Sequence, residues 1–203
     1  RIDIMKKLIS IILVAVILLS FAACGKEKTP PVETLPLDTE ALKADWKNGT
    51  LVFPGDKTVK FPCTLNEFLQ NSGAKINGAL VTEEKMLEPD ENLTFYVSAE
   101  GANIKITITN TKDEAVACSE AFVSKYSYNN TNEANRQIKF AGTLSPGVSR
   151  SDVEKALEIP ENRTSKDVLY IYEGRNSKNK KVNLNVAFNN DGVVNSVSYE
   201  ILY

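Results

Sequence analysis

The feature that most constrains this fold is a strict alternation of apolar and polar residues, which occurs in two separate regions of the chain. The alternating segments are Leu93–Val97, Ile104–Ile108 and Val116–Tyr128 in the first region and Val168–Glu173, Val182–Phe188 and Val193–Ile201 in the second. Successive side chains of a strand point to opposite faces, so each segment has one apolar and one polar face. The pattern predicts antiparallel sheets that are covered on one face and open to water on the other.

A short amphipathic helix is predicted before each set of strands. Thr64 is an N-cap residue that forms a capping box with Glu67, and the second helix begins near Ser149 or Ser151 and is stopped by Pro160. The apolar residues recur at helical spacing and predict one buried stripe on each helix. The stripes are Leu65, Phe68 and Leu69 in the first helix and Val153, Ala156 and Leu157 in the second.

Together these elements predict an α+β fold of two tandem units, each a short helix packed on an antiparallel sheet. The polar segment Asn129–Asn135 separates the two similar patterns. We therefore expect a first unit over residues 46–136 and a second over residues 137–203, related by structural duplication.

The segment Met5–Cys24 has the layout of a secretory signal. Lys6 and Lys7 precede the apolar run Leu8–Leu19, and the small residues before Cys24 resemble the lipobox of bacterial lipoproteins. The resemblance implies that residues 1–23 are a signal peptide, with residues 1–4 upstream of the true start. It also implies that Cys24 receives a diacylglyceryl group and palmitate-type acyl chains and becomes the mature N-terminus. An ordinary signal peptide or an uncleaved anchor is the alternative.

The segment after the cysteine predicts a tether. Gly25–Thr39 contains three prolines and little to bury, so we expect residues 24–45 to be the lipidated cysteine and a flexible leash. Two acyl chains give stable membrane anchoring. The sequence thus predicts a lipid-anchored protein on the extracytoplasmic face of the cell membrane.

The composition excludes several function classes. The chain contains no histidine, which excludes the Ser-His-Asp triad, the Cys-His pair and zinc sites with histidine ligands. A formal net charge of −2 argues against a nucleic-acid partner, because phosphate binding needs a basic field. We predict no catalytic residues, no metal and no cofactor, and hence a protein that is not an enzyme.

Cys63 and Cys118 are the two cysteines that remain beside Cys24. Both have the parity of core-facing residues, and an exported chain favours a disulfide between them. Such a bond would stabilise the fold by about 4 kcal/mol on the chain-entropy model. The alternative is two buried free thiols that pack as small apolar groups.

Gly147–Tyr199 resembles the SmpA/OmlA-type envelope lipoproteins. The matching positions are Gly147, Val153, Leu157, Pro160, Tyr170, Tyr172, Phe188 and Gly192, with Glu158 where the family usually has glycine. A tandem pair of such units looks like the β-lactamase-inhibitor-protein fold, which presents a concave protein-binding surface. The resemblance implies a non-catalytic role in assembly, scaffolding or inhibition through protein contacts.

Tyrosines on the predicted strands and lysines between two of those strands are the candidate binding residues. Tyrosine is enriched at protein interfaces, and basic residues between two strands either form a solvated hairpin tip or contact anionic lipid or wall polymer. The candidates are Tyr126, Tyr128, Tyr170, Tyr172, Lys178, Lys180 and Lys181, and Tyr199 and Tyr203 belong to the same tyrosine cluster.

The leading functional hypothesis is a membrane-anchored extracytoplasmic lipoprotein that acts as a non-catalytic protein-binding, scaffold or assembly module, with an envelope protein as its partner. The alternative is a sensor or binding domain for a small ligand or a cell-wall polymer, which a deep apolar pocket between the halves would favour. A hydrolase with two facing carboxylates is a third hypothesis.

Overall fold

A seven-stranded antiparallel sheet forms the centre of the structure, a computed structural model that describes residues 33–78, 81–164 and 168–203. The strands are β1 (Leu51–Phe53), β2 (Lys57–Val59), β3 (Lys75–Ile76), β4 (Met86–Leu87), β5 (Asn92–Ala99), β6 (Ala102–Thr109), β7 (Val116–Ala117), β8 (Phe122–Asn129), β9 (Lys139–Phe140), β10 (Leu169–Arg175), β11 (Lys181–Phe188) and β12 (Val194–Leu202). The helices are α1 (Thr39–Asp45), α2 (Leu65–Ser72), α3 (Glu133–Arg136) and α4 (Arg150–Leu157). The chain is thus an α+β protein dominated by antiparallel sheet, as the sequence predicts.

The large sheet runs through both halves of the sequence. Its strand order is β10-β11-β12-β8-β6-β5-β3, and every pair is antiparallel. The pairing of β8 with β12 places Tyr126 opposite Tyr199 and joins the two regions of alternating sequence. Two smaller sheets, β2-β1-β9 and β4-β7, accompany it.

One face of the large sheet carries the core. The strand register aligns a row of buried side chains across six strands: Phe95, Ile106, Tyr126, Tyr199, Leu184 and Tyr172. The helices and the β2-β1-β9 sheet supply the residues that pack against this covered face. The Phe61 ring lies 4.7 Å from Tyr126, and Phe140 lies 5.7 Å from Tyr199. Each residue of the row removes apolar surface from water, which is the main stabilising term of the fold.

Helix α2 has the predicted ends. The Thr64 hydroxyl accepts a hydrogen bond from the Glu67 amide, and the Glu67 carboxylate accepts one from the Thr64 amide. Gly73 ends the helix with a φ of 69°, a conformation that favours glycine. Leu65 and Phe68 are buried, so the predicted apolar stripe is the packed one.

Helix α4 begins at the predicted cap and ends earlier than Pro160. The Ser149 hydroxyl accepts a hydrogen bond from the Asp152 amide, and the last helical residue is Leu157. Glu158 then has φ 63° and ψ 178°, a region that glycine occupies far more easily than other residues. The helix therefore ends at the residue where the sequence departs from the SmpA/OmlA pattern.

The sequence prediction is wrong at one strand face. Val123 pairs with Ile108 and Lys125 with Thr107, so a bulge at Ser124 shifts the register of β8 against β6. Phe122 consequently lies on the opposite side from Tyr126, although simple alternation places them on one face.

Strand β9 is short. Only Lys139–Phe140 is extended, because Ala141 and Gly142 have φ values of 50° and 73° and turn the chain. The amide of Leu144 donates back to the carbonyl of Phe140 across this turn.

The fold includes part of the segment that the sequence assigns to the tether. Leu35 pairs with Val148 in a β-bridge, its amide donates to the Gly147 carbonyl at 2.9 Å, and Leu42 of α1 is fully buried. The tether prediction is therefore wrong for this part of the segment, which contains α1 and the docked Leu35. The signal peptide, Cys24 and the first tether residues lie outside the described residues.

Cys63 and Cys118 are free, buried thiols in this structure. Of the two alternatives, the structure therefore contains the pair of thiols and no disulfide. Burial raises the pKa of both thiols above the ordinary value, which keeps them protonated and unreactive near neutral pH.

Candidate functional site

The face of the large sheet opposite the core, here called the open face, is partly exposed and mainly polar. Across the same six strands the register aligns a second row, which lies one residue away from the buried one on every strand: Tyr96, Lys105, Ser127, Ser198, Asn185 and Ile171. Its large side chains are at the ends and its small polar ones in the middle. This arrangement makes the centre of the row lower than its flanks.

Ser198 occupies the middle of the open row. Its Oγ is shielded from solvent, and among the described residues it has no hydrogen-bond partner. Its strand neighbours across the face are Ser127 on β8 and Asn185 on β11. Shielded hydroxyl groups in proteins nearly always have a partner, so this unpaired group is an exception on the open face.

A neighbouring row of the open face is already paired within the molecule. The hydroxyls of Thr94 and Thr107 lie 2.8 Å apart, and Lys125 Nζ lies 3.1 Å from Glu200 Oε2. These pairs hold side chains across strand boundaries, and a half-exposed ion pair of this kind contributes modestly to stability. Their effect on the site is to fix the side chains that flank Ser198.

A groove of about 780 Å³ lies at one end of the open face, and we call it the Tyr203 groove. Its apolar lining residues are Pro62, Phe122, Ile201, Leu202 and Tyr203, and its polar ones include Asn92, Thr109, Ser124 and Glu200. Lys178 and Lys180 from the β10–β11 connection also line it. The groove thus combines residues from both halves of the sequence.

The four candidate tyrosines lie on the covered face. Tyr126, Tyr128, Tyr170 and Tyr172 are between 1% and 6% exposed, so none of them lines a surface. Their hydroxyls hold covering segments instead: Tyr126 donates to the Gly49 carbonyl at 2.7 Å, and Tyr172 donates to the Glu158 carbonyl at 3.0 Å. Burial raises the pKa of the Tyr126 hydroxyl well above its ordinary value. A binding surface on this sheet must use other residues.

The three candidate lysines are divided between two places. Lys178 and Lys180 meet in the Tyr203 groove, and Lys180 Nζ lies 5.4 Å from the centre of the Tyr203 ring. Lys181 lines a separate, smaller groove together with Glu173 and Arg175. The connection that carries them is an ordered loop, since the Asn176 side chain accepts from the amides of both Lys178 and Lys180 at 3.0 Å.

Sequence reasoning missed three residues of this region. Tyr96 is 52% exposed on the open face, and it follows the buried Phe95, so alternation alone could have identified it. Ser198 carries no signal by itself, because its shielding depends on neighbouring strands. Phe122 reaches the groove only because of the bulge in β8.

The described part of the chain contains neither a candidate metal cluster nor a helix that could span a membrane. Residues 33–78, 81–164 and 168–203 contain no cluster of three or more His, Cys, Asp or Glu side chains arranged to hold a metal ion. Over the same ranges, every helix is too short or too polar to cross a membrane.

Comparison with models of protein families, with curated proteins and with solved structures finds no match for this chain.

Proposed function

We propose that this chain is a membrane-anchored extracytoplasmic lipoprotein whose open sheet face binds another protein of the cell envelope. The observation that carries the proposal is the asymmetry of the large sheet. One face is packed against helices and loops, while the other is a largely polar, partly exposed surface. A broad, bare sheet face of this kind offers a rigid platform for a partner.

The size of the open face fits a protein partner. Six strands of seven to nine residues, spaced by about 4.8 Å with about 3.4 Å per residue, present a surface of about 780 Å². Stable interfaces bury about 800 Å² per partner. The face and its rim are therefore large enough for an interface of ordinary size.

The chemistry of the open row also fits a protein partner. Tyr96 supplies an exposed aromatic ring, and interface energy is concentrated in aromatic residues. Serine and asparagine in the centre supply adaptable hydrogen-bonding groups with little side-chain entropy to lose. A protruding loop of a partner would fit the low centre of the row and contact Ser127 and Asn185.

The strand order supports the tandem arrangement within this proposal. Each triplet, β5-β6-β8 and β10-β11-β12, is a meander whose last strand lies at the centre of the sheet. A helix precedes each triplet along the chain, α2 before the first and α4 before the second. These features support two duplicated helix-on-sheet units with a shared binding face, as the resemblance to the β-lactamase-inhibitor-protein fold implies.

The proposed anchor restricts where the face can reach. If Cys24 is lipidated, the ten residues 25–34 separate the membrane from the docked Leu35. At about 3.1 Å per extended residue they span roughly 30 Å. The partner is therefore expected within a few tens of ångströms of the membrane surface.

Site-specific photocrosslinking in cells that express the full chain tests this proposal. A photoreactive residue at Tyr96 or Ser198 should join the protein to one and the same envelope protein. The same residue at the exposed Ser151 of α4 is the matched control and should give no such product. Identical products from all three positions, or no product from the open face, would contradict the proposal.

The lipid anchor is tested separately. The Cys24→Ala variant should leave the membrane fraction, because one acylated cysteine is the proposed anchor. Lipidation would be disproved if the variant stays in the membrane and the wild-type protein takes up no labelled palmitate. The open-face proposal would not be affected, because crosslinking tests it separately.

A further inference from the structure

We infer that the Tyr203 groove receives an acidic segment of the partner protein that also carries an apolar side chain. The inference rests on the proposed function and specifies the chemistry of the partner. It is drawn from the apolar lining of the groove, from its lysines and from the rigid loop that presents them.

The groove contains a contiguous exposed apolar surface. Among the described residues, the exposed large apolar side chains are Met86, Tyr96, Ile159, Leu202 and Tyr203. Leu202 and Tyr203, exposed by 42% and 47%, are adjacent and both line this groove. The Phe122 ring lies 6.1 Å from the Tyr203 ring and extends the surface. Clustered apolar exposure of this kind marks interaction sites, whereas single exposed residues do not.

The lysines give the groove a preference for negative charge. Within the described ranges, neither Lys178 nor Lys180 has a carboxylate oxygen within 4.0 Å of its Nζ. Glu200 is paired with Lys125, and Asp90 is the other carboxylate that lines the groove. Lys125 itself lies outside the groove lining, and because it pairs with Glu200, Asp90 is, within the described part of the chain, the one lining carboxylate without an ion-pair partner opposite the two lysines. A carboxylate of a partner would find two unpaired ammonium groups beside an apolar surface.

The loop that presents the lysines is held in place before binding. Asn176 is 6% exposed, and its carbonyl oxygen accepts from the amides of both lysines. The Asn179 carbonyl accepts from Arg175 Nη1 at 2.8 Å, and the Ser177 amide donates to Asn48 Oδ1 at 3.3 Å. Because the backbone is already ordered, binding loses less conformational entropy than it would with a mobile loop.

The polar side of the groove is suited to a peptide main chain. The Thr109 hydroxyl bonds to Asn92 Oδ1 and lies 2.7 Å from Ser124 Oγ, which forms a connected set of hydroxyl and amide groups across β5, β6 and β8. Such groups can donate to and accept from peptide amides. The volume of about 780 Å³ lies within the range of about 300–1,000 Å³ found for ligand sites. A short extended segment fits these dimensions.

Peptide display tests the inference directly. A random peptide library is selected against the full chain in detergent micelles, against the double variant Lys178→Glu/Lys180→Glu, and against the control Lys43→Glu/Lys139→Glu, two exposed lysines that lie neither on the open face nor in the groove. The wild-type protein and the control should enrich peptides that combine acidic residues with an aromatic or aliphatic residue. The double variant should bind the same peptides at least tenfold more weakly and should enrich basic ones. Tyr203→Ser should remove the apolar preference and keep the acidic one.

Three results would overturn the inference. The first is enrichment without a charge preference, and the second is equal binding of the selected peptides by the wild-type protein and the double variant. The third is that polygalacturonate oligomers bind with the same lysine dependence while no peptide does, which would assign the groove to an anionic glycan. Circular dichroism and thermal unfolding of each variant ensure that lost binding is not lost folding.

The crosslinking experiment separates this inference from the proposed function. If Tyr96 and Ser198 still crosslink to the partner at wild-type yield in the double variant, the groove inference fails and the open-face proposal stands. If the open face gives no partner while the groove selects acidic peptides, the proposed function fails. The groove then binds an acidic segment of a protein that does not contact the open face.

Discussion

On six strands of the large sheet (β5, β6, β8, β12, β11 and β10), one side chain enters the core and a neighbouring one along the chain lies on the open face. The two rows share one backbone and one set of strand pairings, with Tyr126 and Tyr199 opposite each other on one side and Ser127 and Ser198 on the other. The covered row contains large apolar and aromatic groups, and the open row has small polar groups at its centre. The residues that stabilise the fold and those of the proposed binding face therefore lie on opposite faces along every strand.

Replacing one residue from each row gives the largest expected contrast. Tyr199→Ala removes a fully buried ring and should lower the free energy of unfolding by about 3–5 kcal/mol. Ser198→Ala, one position earlier, should change it by no more than about 0.5 kcal/mol, because its hydroxyl has no partner among the described residues. Urea unfolding measures both. Similar losses for the two variants would contradict the division between faces.

Two glycines on the covered side sharpen the same contrast. Gly49 and Gly55 both have positive φ, at 70° and 74°. An added Cβ at Gly49 would overlap the Tyr199 ring, whereas an added Cβ at Gly55 would meet no atom within 4 Å. Gly55→Ala should destabilise by about 1–2 kcal/mol from backbone strain alone. Gly49→Ala should add about 1–3 kcal/mol for overpacking. Equal unfolding energies for the two variants would show that the ring moves aside freely.

The end of α4 offers a stabilising change. Glu158 occupies a backbone region suited to glycine, so Glu158→Gly should raise the free energy of unfolding by about 1 kcal/mol. The exposed Glu161→Gly serves as the control and should lower it or leave it within about 0.5 kcal/mol. Thermal unfolding of the two variants measures the difference. A Glu158→Gly variant that is less stable than the wild-type protein would show that the backbone of Glu158 is not strained.

The smallest expected effect concerns pH. Hydrogen bonds from Lys155 and Ser149 hold the pKa of Asp152 below its ordinary value of 3.8. A lowered folded-state pKa contributes stability that is complete above the unfolded-state pKa and is lost as pH falls through the folded-state value. Asp152→Asn should therefore lose less unfolding free energy than the wild-type protein between about pH 6 and about pH 3. Equal losses would show that the carboxylate does not support the helix cap.

The sequence predicts which face of each strand is buried better than it predicts how the strands pair. Alternation identifies which side of each strand is buried, because parity is a local property, and the cap at Thr64 is equally local. The pairing of β8 with β12, the bulge at Ser124 and the docking of Leu35 depend on residues far apart in the chain, and no local pattern encodes them. The sequence identifies the lysines as candidates but not where they lie. Lys178 and Lys180 reach the groove because the Asn176 side chain holds the loop that carries them.

The most direct test of the central claim blocks the open face without disturbing the core. Ser198→Arg and Ser127→Arg place a long side chain in the low centre of the row, and Ser151→Arg on α4 is the matched control. The quantity measured is binding of the partner identified by crosslinking, together with the free energy of unfolding. We predict at least tenfold weaker binding for the two sheet variants, unchanged binding for the control, and unfolding energies within about 1 kcal/mol of the wild-type protein for all three. Wild-type binding by both sheet variants would contradict the claim that this face is the binding surface.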